Sequence, residues 1–155
     1  MMPSVLFSER AMRLMEAELR LHEREETGGF LLGYVRDTQR LEILEAIDGG
    51  FCQVKRTRNS FQYDAEYVQH LSTILCNAYD PPLSLLGMWH KHCHQMEPVF
   101  SLADDALHTQ LMQMNDGTCV SVLFQQSEIR VEEYRIRVFV INAEMGEQEV
   151  SWATA

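Results

Sequence analysis

The sequence predicts an α/β protein: one mixed β-sheet with helices packed on it. Three observations carry that expectation. Residues 8–24 and 64–78 place apolar side chains at helical spacing. The runs "FLLGYV" and "LEILEAI" have the buried or alternating character of strands. Helical and strand segments are interleaved along the chain, as in a sheet covered by helices.

The elements follow in order. Ser8 is placed to cap a first helix that runs to about Arg24. On a helical wheel Ala11, Met12, Leu14, Met15, Leu19 and Leu21 share one half, and Arg13, Glu16, Arg20, Glu23 and Arg24 take the other. The "TGG" at 27–29 reads as the stop, because glycine readily takes the left-handed conformation past a helix end. "FLLGYV" follows as a buried strand and "LEILEAI" as an alternating one. Asp64 caps a second helix with Tyr67, Val68, Leu71, Ile74, Leu75 and Ala78 on one stripe, and "DPP" at 80–82 stops it. "LSLLGMWHKH" reads as a central strand, and Ser101 opens a third helix through about Met114. "TCVSVLF", "IRVEEYRIRVFVIN" and "QEVSW" are the closing strands. With no repeats, low-complexity tracts or linkers, residues 1–155 read as one domain, long enough for a proper core.

Composition narrows the function. The net charge of -10, from 23 acidic against 13 basic residues, argues against binding nucleic acid over a broad face. The densest basic cluster is "KRTR", with Lys55, Arg56 and Arg58. No apolar run approaches the ~20 residues of a membrane span, and the N-terminal stretch lacks the pattern of a secretory signal. Cys52, Cys76, Cys93 and Cys119 are widely spaced without a CxxC pair, so a ribbon-type zinc site is not expected. Four reduced thiols in a cytoplasm is the simplest expectation.

The stretch "GMWHKHCHQMEPVFSLADDALH", residues 87–108, carries the chemistry. Side chains on a strand alternate faces, so His90 and His92 point one way and Trp89 and Lys91 the other. Two imidazoles at that spacing can grip one metal ion; the plainer alternative is two polar histidines at a strand end. Ser101 and Asp104 form an S-x-x-D pattern at a helix start, which reads as a capping box. It also reads as a third ligand on the first helical turn, and both readings can hold together. A His-His-Asp set leaves a fourth tetrahedral position open, as catalytic zinc sites do. Glu26, just before the glycine pair, offers a base for an attacking water; otherwise it is one more solvated acid in "HEREE".

In this order, Glu-x-Gly-Gly before an apolar strand, then His-x-His, then Ser-x-x-Asp, the chain resembles the JAMM (MPN+, Mov34/JAB) zinc metalloproteases, chiefly their compact prokaryotic members. The resemblance spans about residues 8–125. It implies a single cytidine-deaminase-like α/β domain. It also implies zinc held by His90, His92 and Asp104, Glu26 as general base and Ser101 as oxyanion helper. The implied activity is hydrolysis after the C-terminus of a ubiquitin-like protein, from a lysine or a short extension. "FQYDAEYVQHL" and "GMWHKH" look most like the deconjugases of bacterial antiphage operons, whose products include partners like the ubiquitin-activating and ubiquitin-conjugating enzymes. Substrate would enter as an extended segment beside a strand edge, past a narrow channel that favours small residues. Lys55, Arg56 and Arg58 are the candidate contacts to its globular body.

The chain departs from the family pattern in three places. Eight residues rather than seven separate His92 from Ser101, which leaves Asp105 as a possible substitute ligand. Cys93 replaces the usual proline, and Lys91 replaces the small hydroxyl residue between the histidines. Cys93 and His94 are chemically able to bind zinc and read as bystanders. Two other classes compete. One is a non-catalytic MPN scaffold, although such scaffolds usually lose the ligands. The other is a cupin-like metal protein using His90, His92 and Glu97; Ser84 and Asp104 stand where that motif needs glycine.

Overall fold

The computed structural model describes residues 2–37, 39–93 and 100–155. Its elements, in chain order, are β1 (Ser4–Phe7), α1 (Glu9–Leu21), β2 (Thr27–Asp37), β3 (Arg40–Asp48), β4 (Lys55–Arg56), β5 (Phe61–Gln62), α2 (Ala65–Asn77), β6 (Ser84–His92), α3 (Leu102–Met114), β7 (Thr118–Gln126), β8 (Tyr134–Asn142), β9 (Gly146–Glu149) and β10 (Ser151–Thr154). Eight strands form one mixed sheet in the order β10-β1-β3-β2-β6-β7-β8-β9, and β4 and β5 make a separate hairpin. The pairs β1–β10, β1–β3 and β6–β7 are parallel. An antiparallel cupin barrel does not describe this sheet.

The expected capping residues all act. Ser8 accepts from Ala11 N, Asp64 from Tyr67 N and Ser101 from Asp104 N, each satisfying an amide that the first helical turn leaves open. The wheel of α1 holds for Ala11, Met12, Met15 and Leu19, which are buried. Leu21 is 75% exposed, because the helix stops there with His22 as its C-cap. Gly28 and Gly29 do not end a helix; they open β2 in extended form. Their role is close approach. A Cβ on Gly28 would lie 2.4 Å from Trp89 O, and one on Gly29 would lie 1.8 Å from Ile47 O.

The sheet divides two cores. On one face α1 packs Met12, Met15 and Leu19 against Leu31, Ile43, Leu86 and Trp89. On the other, Val68 of α2 and Leu111 of α3 pack against Phe30, Leu32, Ile47, Met88 and Leu123. In α2 the buried side is Val68 and Ser72; Ile74 and Ala78, expected on the inner stripe, are exposed. β6 lies between β2 and β7, near the middle of the sheet.

The C-terminal segment departs most from expectation. "QEVSW" is two strands rather than one: β9 pairs with β8 and β10 with β1, at opposite ends of the strand order. Only Val150 separates them, and its amide bonds to Val138 O at 2.9 Å. The sheet therefore curls until its two edges nearly meet, giving an almost closed barrel. Among the described residues no helix is long and apolar enough to cross a membrane.

Candidate metal centre

Strand alternation puts His90 and His92 on the face that carries Met88, the face covered by α3. Asp104 arrives on the first turn of α3. Its Oδ2 lies 3.6 Å from His90 Nε2 and 3.9 Å from His92 Nε2. One ligand atom from each of the three residues can be chosen so that all lie within 4.8 Å of one another. Tetrahedral zinc with bonds near 2.1 Å holds its donors about 3.4 Å apart, so the distances from Asp104 to the two imidazoles, 3.6 and 3.9 Å, are close to what such an ion needs.

The capping box and the ligand set are one device. Ser101 N donates to Asp104 Oδ2 at 2.9 Å, while Asp104 N donates to Ser101 Oγ at 3.1 Å. The carboxylate oxygen that caps the backbone is also the oxygen nearest both imidazoles. Asp105 faces elsewhere: its Oδ1 lies 3.8 Å from His108 Nδ1. The extra residue in the preceding loop therefore leaves Asp104 as the acid at the histidines. Residues 94–99 of that loop, His94 and Glu97 among them, lie outside the described residues.

His90 is buried, and neither ring nitrogen has a hydrogen-bond partner among the described residues. Such a side chain costs roughly 1–3 kcal/mol unless something engages it. Burial, against a smaller opposing effect of Asp104, depresses its pKa to about 3 and keeps the ring neutral, the form that binds metal. A buried neutral imidazole with no hydrogen-bond partner among the described residues, beside a second imidazole and a carboxylate, fits a metal ion.

Glu26 shares the cleft. The β2–β6 ladder pairs Gly28 with His90 and Thr27 with Lys91, so continuing by one residue sets Glu26 across from His92. Burial first and Asp104 second raise its pKa from 4.5 to about 7, with Lys91 opposing. The cleft has a volume of about 920 Å³, and Glu26, His90, His92, Ser101 and Asp104 line it. The opposite wall is the β4–β5 hairpin region, with Ser60, Phe61, Gln62 and Tyr63. That wall was not anticipated. Strands of two residues carry no periodic signal, and the only hint is the turn-rich "TRNS" between "KR" and "FQ", where Thr57 and Ser60 bond to each other.

Behind the cleft a polar cluster holds the Glu26 segment. Thr27 Oγ1 donates to Glu18 Oε2 at 2.8 Å, and Arg56 Nε donates to Thr27 Oγ1 at 2.9 Å. Arg56 Nη2 also reaches Gly50 O at 3.0 Å and lies 3.6 Å from Glu18 Oε2. The Arg56 side chain is only 10% exposed. It is an internal clamp and not the surface contact expected of it; Lys55 and Arg58 are exposed. Lys91 is fully buried on the α1 face and donates to His22 O, tying β6 to the C-terminus of α1. Cys93 is partly buried, and burial raises its thiol pKa against the pull of Lys91.

No protein-family model matches the chain, and no curated protein matches it. Among solved structures it is similar to the solution structure of a protein from Desulfitobacterium hafniense determined by the Northeast Structural Genomics Consortium. The two share 19% identity over 97% of this chain and 92% of that one, with a TM-score of 0.60. At that identity the likeness speaks for the α/β fold with its mixed sheet and for nothing else.

Proposed function

We propose that this chain is a zinc-dependent peptidase or isopeptidase of the JAMM type. In this reading it has the cytidine-deaminase-like MPN arrangement and hydrolyses the bond after the C-terminus of a ubiquitin-like protein. The observation that carries the reading is the meeting of His90, His92 and Asp104 in one cleft with Glu26, whose pKa is raised to about 7. The Glu-x-Gly-Gly, His-x-His and Ser-x-x-Asp signatures supply those residues in the order the family uses. The four free cysteines suit a reducing compartment such as the cytoplasm.

His90, His92 and Asp104 would hold the metal. Bound there, zinc supplies a Lewis acid and lowers the pKa of a coordinated water toward about 7. Glu26 takes the proton of the attacking water and passes it to the leaving amine, the service of a base whose pKa lies near the working pH. Ser101 Oγ already accepts from Asp104 N, which leaves its own O–H to donate to the developing oxyanion. The wall formed by Ser60–Tyr63 offers an extended substrate segment a surface opposite the ligands. Lys55 and Arg58 remain the candidate basic contacts to the substrate's body, without Arg56. Partners like the ubiquitin-activating and ubiquitin-conjugating enzymes belong to the same proposal.

The test is cleavage of a linear fusion carrying a ubiquitin-like protein from a neighbouring gene. Cleavage at its C-terminus that stops with a zinc chelator and returns with added zinc supports the reading. Chelator-insensitive cleavage rules out the metallopeptidase. Zinc bound without cleavage of any ubiquitin-like fusion favours a scaffold role.

A further inference from the structure

The third helix is seated in an unusual way. Its fully buried residues are His108 and Leu111, with Leu107 and Met112 partly buried against the same core, so a polar imidazole sits at the centre of an otherwise apolar anchor. His108 Nε2 lies 2.9 Å from Ser121 Oγ, and Ser121 has no exposed surface. The ring also meets Phe100 edge-on, with centroids 4.7 Å apart. On the other side Asp105 Oδ1 stands 3.8 Å from Nδ1. That favours the tautomer with the proton on Nδ1, so that Nε2 accepts from the Ser121 hydroxyl. Serine, histidine and aspartate together have the composition of a nucleophilic triad, but a serine with no exposed surface cannot meet a substrate. The cluster serves some other purpose.

Its place in the fold suggests which. Asp104 and His108 are four residues apart, on the same face of α3 to within about 40°. Ser121 is paired with Met88 in the parallel β6–β7 ladder, two residues before His90. The His108–Ser121 bond therefore ties α3 to the strand beside the one that carries the two histidines. An apolar contact such as that of Leu111 resists separation but tolerates rotation; a hydrogen bond at 2.9 Å is directional. We propose that His108, through its bond to Ser121, is a positioning residue that sets the rotation of α3 and so turns the Asp104 carboxylate toward His90 and His92. The proposal rests on the metal reading of those three residues. It also gives Asp105 a role, as the partner that orients the imidazole.

The test compares zinc affinity, by competition with a chromophoric chelator, at a temperature where every variant is folded by circular dichroism. The visible spectrum of the cobalt-substituted protein reports ligand geometry alongside. Ser121→Ala and His108→Leu should weaken zinc binding on the order of tenfold or more, the usual scale for groups that orient ligands, and should alter the cobalt spectrum. His108→Gln, which keeps a polar atom near the Nε2 position, should recover most of the affinity. Leu111→Ala should lower thermal stability yet bind zinc like the wild type. Wild-type affinity in folded Ser121→Ala would overturn the positioning role while leaving the metal centre intact. An equal loss in Leu111→Ala would reduce His108 to ordinary packing. A wild-type chain that binds no zinc would remove the metal centre itself, and this proposal with it.

Discussion

Glu26 and Asp104 make the sharpest statements about single side chains. The pKa of Glu26 is raised from 4.5 to about 7 on folding. The folded state therefore binds this proton more tightly than the unfolded one, and stability falls as pH rises from about 4.5 to 7. Glu26→Gln removes that loss. Without metal, the variant should match the wild type near pH 4.5 and exceed it at pH 8 by about 1 kcal/mol, discounting for solvent screening of a partly exposed side chain. Chemical denaturation at the two pH values checks this, and equal stability at pH 8 would place Glu26 in solvent. In the fusion assay the same variant should lose on the order of a hundredfold in turnover, the scale of a lost proton-transfer group. For the acid ligand, Asp104→Ala should abolish zinc binding while Asp105→Ala keeps most of it, because Asp105 faces His108. Calorimetric zinc titration of both reads the answer, and the reverse pattern would mean that the register at the start of α3 is misplaced.

At the level of elements, the glycine pair and the clamp of Arg56 hold the cleft in shape. A methyl group on Gly28 would meet Trp89 O at 2.4 Å, so the β2–β6 ladder would have to open beside His90. Gly28→Ala should cost about 2–4 kcal/mol and weaken metal binding, as thermal melts with and without zinc would show. Arg56→Ala should cost about 2–3 kcal/mol, since the mostly buried Glu18 carboxylate loses its cation and Gly50 O loses its donor. Arg58→Glu should raise substrate KM more than it lowers kcat, because a remote contact binds ground state and transition state alike. The helix caps, the paired histidines and the capping box were legible in the sequence because each is a local pattern of a few residues. The inward turn of Arg56 was not: its partners Glu18, Thr27 and Gly50 are scattered along the chain, and a basic tetrapeptide looks the same whether it is solvated or enclosed. The glycine pair was misread for a related reason. Its need for small side chains comes from Trp89 and Ile47 on neighbouring strands, and not from a helix end.

The whole molecule is shaped by closure of the sheet. β10 returns to β1 and sets Trp152 against Phe7, with ring centroids 5.8 Å apart. That pairing joins the two ends of the chain, and no local pattern announces it, so "QEVSW" reads as one strand until the register is seen. Removing residues 151–155 should bare the β1 edge, lower the melting temperature by several degrees and promote association; light scattering and a thermal melt together would show it, and an unchanged melt would mean the closure contributes nothing. The curled sheet also fixes β6 under α3, and the account as a whole depends on a metal ion joining those two elements through His90, His92 and Asp104. Elemental analysis of the purified chain after equilibration with zinc tests that most directly. One zinc per chain in the wild type, with none in folded His90→Ala/His92→Ala, is the predicted result; a double variant that keeps its zinc would contradict it.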